Sequence, residues 1–239
     1  MRNSMATEIP AGIEFQHLLS HTFPGFLSAI TLFMLIDIWS PVDLTSLVIK
    51  DLTGLINFVG FILLIGTILG IIIDGIHHSI VEDGIFDSLL EMNEIHNIGR
   101  DCKKICGIDK PISHHYFFSK MKTDAINISN YFIKGYYCYS EFYSNTFLAL
   151  LPFSLIVPYY LVKSLQIPWQ QCIYIGIASL LLACVCLYSG FVAYQGYIRG
   201  VNSAIYGYVS NSKPEEASSS SIKAVYSVIC DCIKGEKKI

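Results

Sequence analysis

The chain has 239 residues, of which 53% are hydrophobic and only 15% are charged. An average soluble protein has about 25% charged residues, so this composition is typical of a membrane protein with a modest aqueous portion. The formal net charge of -3 and the lack of a basic patch with interleaved aromatic residues exclude nucleic acid as a partner. The length corresponds to one compact unit rather than several soluble domains.

Four apolar runs are each long enough to cross a hydrocarbon layer of about 30 Å as a helix, which takes about 20 residues. Because the layer offers no water to the backbone, we expect each run to be helical. The predicted fold is an all-α integral membrane protein with four transmembrane helices and a cytoplasmic helical extension between spans two and three. The runs are residues 23–39, 55–74, 135–162 and 172–194.

These runs divide the chain into five predicted segments. Two of them are transmembrane hairpins, and the other three lie in the cytoplasm. In chain order they are the N-terminal arm (1–22), the first hairpin (23–74), the cytoplasmic helical region (75–134), the second hairpin (135–194) and a tail with a linker and a terminal amphipathic helix (195–239).

The distribution of lysine and arginine predicts the orientation. Positive charges concentrate in the central region and the tail, whereas the other two connections carry only Lys50 and Lys163. Cytoplasmic loops of membrane proteins are enriched in these residues, so both termini are expected in the cytoplasm of a cell-membrane protein. The first run follows no basic segment and precedes no small-residue cleavage site, which indicates a retained span rather than a secretory signal.

Small residues and prolines mark particular places in the spans. Thr22 and Pro24 predict the start of the first helix, because proline is tolerated in a first helical turn. Gly66 and Gly70 are spaced to let two helix backbones approach closely, either within one chain or between two copies. Pro152 and Pro158 are expected to kink or loosen span three.

The sharpest chemical pattern begins where span two ends. If the helix continues past Asp74, then Asp74, His78 and Glu82 recur every four residues and lie on one face, with His77 on the neighbouring face. Carboxylates and imidazoles at such spacings can bind a metal ion, and two such helices can hold two. An ionisable group at the membrane boundary is a functional candidate by default.

Other helices are expected to bring His21, Glu141 and Asn145 beside this pattern. The candidate metal ligands are therefore Asp74, His77, His78, Glu82 and Glu141, with a transition metal as the cofactor. Two simpler interpretations stay open: a proton-sensitive hydrogen-bond cluster, because histidine titrates near neutrality, and ordinary polarity where a helix leaves the bilayer.

A weaker metal-binding candidate lies in the central region. Its potential ligands follow no known zinc spacing, and the chain has no HExxH or CxxC motif, no GxSxG nucleophile and no phosphate-binding glycine loop. No catalytic residue is assigned. The residues of this second candidate are Glu91, Glu94, His96, His114 and His115. Separately, Cys102 with Cys106 and Cys230 with Cys232 are potential thiolate ligands.

The leading functional hypothesis is an oligomeric membrane protein in the lipid bilayer, a channel-like protein or signalling effector. Its cytoplasmic helices would receive a cytoplasmic protein or a small ligand, and its spans would respond. Uncharged spans, the Gly66 and Gly70 pair and the lack of a catalytic motif support this hypothesis. One alternative is a metal-dependent membrane enzyme acting on a lipid-like substrate at the inner membrane face, and another is an accessory subunit of a larger membrane complex.

Overall fold

The structure, a computed structural model, describes residues 11–49, 51–93, 95 and 133–212. The described residues form helices and contain no β-strand, which confirms the all-α prediction. The helices are α1 (Ala11–Trp39), α2 (Leu44–Ile49), α3 (Leu52–Ile76), a π-helical segment (His77–Phe86), α4 (Asp87–Met92), a short π-helical turn (Ile133–Tyr137), α5 (Cys138–Leu165) and α6 (Trp169–Ser212).

Four helical stretches are long and apolar enough to cross a membrane, as the sequence predicts. Large apolar side chains on them are widely exposed, including Leu64, Leu155 and Leu181. Large exposed apolar surfaces are unusual in soluble monomers and are expected where helices face lipid. The orientation of the termini and the cytoplasmic placement of the central region remain predictions. The four stretches are Leu19–Trp39, Leu52–Met92, Gly135–Leu165 and Trp169–Ala204.

The predicted start of the first helix is wrong. Helix α1 begins at Ala11, so Pro24 lies inside it rather than in its first turn. Proline has no backbone N–H and leaves the carbonyl four residues earlier without its helical donor. That carbonyl belongs to Ser20, and the side chain of Asn145 in α5 donates to it (N···O 3.3 Å). A substitute donor from another helix is one way in which membrane helices tolerate an internal proline.

Glycines let α1 and α3 pack backbone to backbone. A methyl group added at Gly25 would overlap the carbonyl oxygen of Gly66, and one added at Gly70 would overlap the carbonyl oxygen of His21. An added methyl at Gly66 would meet the ring of Phe26. Of the two alternatives for the Gly66 and Gly70 pair, the structure therefore uses it for packing within one chain.

A buried carboxylate joins the C-terminal end of α1 to α2 and α5. Asp37 accepts hydrogen bonds from the backbone N–H of Leu44 (2.7 Å) and from the hydroxyls of Thr45 (2.9 Å) and Tyr160 (2.9 Å). The Lys163 ammonium donates to the carbonyl of Ile38 (2.9 Å) nearby. Asp37 therefore has a structural role at the end of span one.

The described residues fall into two compact units. Those up to Ile85, together with Cys138–Val192, form the first unit, and those in Phe86–Tyr137 and from Ala193 onward form the second. Within the second unit, Phe86 is completely buried and its ring packs at 5.4 Å from that of Tyr194. Residues 96–132 of the predicted cytoplasmic helical region and residues 213–239 of the predicted tail lie outside the described residues.

The backbone contact between α1 and α3 gives a direct test of the packing. We expect Gly25→Ala to lower the thermal midpoint of the protein in detergent, because the new methyl meets rigid backbone and overpacking costs about 1–3 kcal/mol. Gly60→Ala is the matched control on α3, since nothing lies within 4 Å of its added methyl. Equal losses of stability in the two variants would contradict this packing.

Candidate metal centre

The candidate site begins where α3 changes from α-helical to π-helical geometry. The helix does continue past Asp74 as far as Met92, as the sequence predicts, but His77–Phe86 forms the wider π-helical turns. π-Helical segments are rare and occur frequently at functional sites. The π-helical segment begins with His77 and His78. The change in geometry therefore coincides with the polar cluster of Asp74, His77, His78 and Glu82.

His78 contacts two carboxylates, each four residues away. Its Nδ1 lies 2.7 Å from Oε2 of Glu82, and its Nε2 lies 3.6 Å from Oδ2 of Asp74. When Nδ1 carries the ring proton and donates a hydrogen bond to Glu82, the lone pair of Nε2 faces Asp74. A carboxylate that orients an imidazole in this way is the usual partner of a metal-binding histidine. The His78 side chain is 44% exposed, which leaves this position accessible.

His77 is the least satisfied side chain in the cluster. It is 1% exposed, and neither of its ring nitrogens has a hydrogen-bond partner. A buried polar group without a partner costs about 1–3 kcal/mol, and a water molecule or an ion commonly accounts for one in a native structure. Metal-binding atoms of His77, His78 and Asp74 all lie within 4.8 Å of one another.

Two further helices complete the surroundings of Asp74. The Asn145 amide of α5 donates to Oδ1 of Asp74 (3.2 Å) with the same nitrogen that donates to Ser20 of α1. His21 of α1 places its Nδ1 3.6 Å from the same Oδ1. Glu141 lies one helical turn before Asn145, is buried, and interacts electrostatically with Asp74 and His78.

The geometry fits a divalent transition metal held by imidazole and carboxylate. Ligand atoms about 2.0 Å from a tetrahedral ion are about 3.3 Å apart. The 3.6 Å between His78 Nε2 and Asp74 Oδ2 is near this value and longer than an ordinary hydrogen bond. The spread of up to 4.8 Å that includes His77 is wider, so binding an ion requires small side-chain rotations. Imidazole with carboxylate suits zinc, iron or manganese.

The structure brings the predicted ligands near one another, but not all of them converge on one point. Asp74, His77 and His78 converge, whereas Glu82 contacts the far nitrogen of His78 and is placed to orient that ring. Glu141 is near Asp74 on the neighbouring helix. Within the weaker candidate, Glu91 is exposed on α4, and Glu94, His96, His114, His115, Cys102, Cys106, Cys230 and Cys232 lie outside the described residues.

Sequence reasoning did not assign a role to the carbonyl of Ser20. The available signal was Pro24, four residues later, which deprives that carbonyl of its helical donor. The same carbonyl positions Asn145, and through it Asp74.

The chain matches no protein-family model, no curated protein and no solved structure.

Proposed function

We propose that this protein is a metal-dependent membrane enzyme that acts on a lipid-like substrate at the inner face of the cell membrane. The observation that carries the proposal is the buried His77, whose two ring nitrogens have no hydrogen-bond partner beside Asp74 and His78. These three side chains are the ligands in the proposal. Glu82 holds His78 through Nδ1, so that Nε2 is directed to the ion.

Three protein ligands are the number typical of catalytic rather than structural zinc sites. A divalent ion in such a site supplies a water molecule activated at neutral pH and a Lewis acid for a carbonyl or phosphoryl oxygen. We assign Glu141 as the general base, because it is a buried carboxylate on the helix facing Asp74. The exposed side of His78 is the side from which a substrate approaches.

The channel-like or effector hypothesis and the accessory-subunit hypothesis remain predictions from the sequence. In the structure Gly66 and Gly70 contact α1 of the same chain. The pair therefore no longer indicates a contact between copies. The polar cluster is the feature that favours the enzyme over both other hypotheses.

Metal content tests the ligand assignment. We expect the detergent-purified chain to contain at least one divalent transition-metal ion, and the His77→Ala, His78→Ala double variant to contain at least one fewer. The control is the His114→Ala, His115→Ala double variant, which removes the chain's other adjacent histidine pair. Elemental mass spectrometry measures both. Loss of metal in the control alone would move the site to the central region, and a metal-free native chain would contradict the proposal.

The Asn145 amide should contribute to metal affinity without binding the ion. Asn145→Leu removes the donor to Asp74, and loss of such a supporting contact typically weakens metal binding about 10-fold to 100-fold. Thr146→Val is the neighbouring control, because that buried hydroxyl donates to the carbonyl of Phe142 in its own helix. Competition with a fluorescent chelator measures both affinities. Equal affinities in the two variants would show that the amide does not position Asp74.

Turnover tests the catalytic part of the proposal. Metal-loaded protein in vesicles of phosphatidylglycerol and phosphatidylethanolamine should release fatty acid or head group, detected by mass spectrometry. We expect chelation of the metal or His78→Ala to reduce the rate by at least 100-fold, and Thr146→Val to leave it within twofold. Product formation that survives both chelation and His78→Ala would assign the activity to a contaminant or to another site.

A further inference from the structure

Two serines of α5 are buried without a visible use for their hydroxyl groups. Ser140 is 1% exposed and Ser144 is completely buried, yet neither hydroxyl has a hydrogen-bond partner within the part of the chain that the structure describes. The two residues are one helical turn apart and lie on the same face of α5. Because buried polar atoms in native proteins are almost always hydrogen-bonded, two neighbouring exceptions require an explanation.

Three other buried hydroxyls in the spans bond to their own helix. Thr31, Thr146 and Ser154 each donate to a backbone carbonyl three or four residues earlier, at 2.7 Å. This bond is the usual one for a hydroxyl inside a helix. Ser140 and Ser144 do not make it, so their hydroxyls are available to a group outside the helix.

A third buried oxygen adjoins this pair. The amide nitrogen of Asn145 donates to Ser20 and to Asp74, whereas its side-chain oxygen Oδ1 has no partner among the described residues. Asn145 follows Ser144 directly in the chain and is completely buried. Three polar oxygens without protein partners are therefore grouped within little more than one turn of α5.

We propose that Ser140, Ser144 and Oδ1 of Asn145 form an internal binding site for ordered water. Side chains one helical turn apart have Cβ atoms about 5–6 Å apart. A water molecule with hydrogen bonds of about 2.8 Å to two oxygens spans a similar distance. Internal water molecules typically bond to about three polar groups that otherwise lack partners, and this site supplies three.

The chemistry of the three oxygens selects water. A serine hydroxyl both donates and accepts, and an amide oxygen only accepts, so their common partner must donate as well as accept. Water does both. The three oxygens carry no formal charge, so they offer an ion no opposite charge. Because all three residues are at most 1% exposed, a molecule as small as water suits the site better than a lipid head group.

The bound water has a positioning role. A side-chain amide has an oxygen on one side and a nitrogen on the other, and only the nitrogen can donate to Ser20 and to the Asp74 carboxylate. A water molecule that donates to Oδ1 of Asn145 holds the amide in this orientation. The site requires no metal ion, so a metal-free chain would contradict the proposed function and leave this inference standing.

A crystal structure of the full-length chain, at a resolution that shows ordered solvent, tests the site directly. We expect a water molecule within about 3.2 Å of the Ser140 and Ser144 hydroxyls, and none in the Ser140→Ala, Ser144→Ala double variant. A lipid or detergent oxygen in that place would overturn the assignment to water. Unoccupied density beside both hydroxyls of the native chain would overturn the site itself.

Thermal stability in detergent gives an independent readout. We expect Ser140→Ala and Ser144→Ala each to lower the thermal midpoint by about 2–4 °C, the shift for one ordinary hydrogen bond in a chain of this size. The double variant should lose less than the sum of the two, because the hydroxyls share bound water. Raised midpoints in both single variants would show that the hydroxyls bond to nothing, and would overturn the proposal.

A second pair of serines is the control for this coupling. Ser154 is ten residues from Ser144, or about 15 Å along α5, and its hydroxyl donates to its own helix. The losses in Ser144→Ala and Ser154→Ala should therefore add in the double variant. Losses that add equally well for Ser140 and Ser144 would contradict a shared water.

Discussion

The arrangement of the candidate centre depends on one side-chain amide, that of Asn145. Pro24 leaves the carbonyl of Ser20 without its helical donor, and an unsatisfied carbonyl in hydrocarbon costs several kcal/mol. The Asn145 amide donates to this carbonyl and to Asp74. One nitrogen thus joins α1, α3 and α5 at the level of the proposed ligands. The need to satisfy a backbone group and the need to orient a carboxylate are met by the same residue.

The arrangement of the candidate centre also depends on the close packing of glycines. Because Gly25, Gly66 and Gly70 have no side chains, α1 lies directly against the backbone of α3. This contact sets the position of His21 relative to Asp74, while the change to π-helical geometry at His77 positions the two adjacent histidines. The polar cluster therefore lies beside a close contact between two helix backbones.

The sequence predicted the features that depend on local periodicity. The four spans follow from the lengths of the apolar runs, and the contacts of His78 with Asp74 and Glu82 follow from a four-residue spacing on a continuing helix. The start of α1 was predicted wrongly, because Pro24 resembles a first-turn proline when its distant partner Asn145 is not considered. The π-helical geometry and the position of Glu82 on the far nitrogen of His78 depend on tertiary packing, which no local pattern encodes. Whether Gly66 and Gly70 meet α1 or another copy is likewise decided by tertiary contacts.

Two of the polar contacts between α1 and α5 have a mechanical consequence. Ser20 is joined to Asn145 near one end of the pair, and Asp37 is joined to Tyr160 near the other. The anchor points are 17 residues apart on α1 and 15 apart on α5, or about 26 Å and about 23 Å along the helix axes. Two helices tied at both ends over nearly equal lengths can neither slide nor pivot past each other without breaking a buried bond. The pair is therefore held in one register, which keeps the amide of Asn145 at the carbonyl of Ser20.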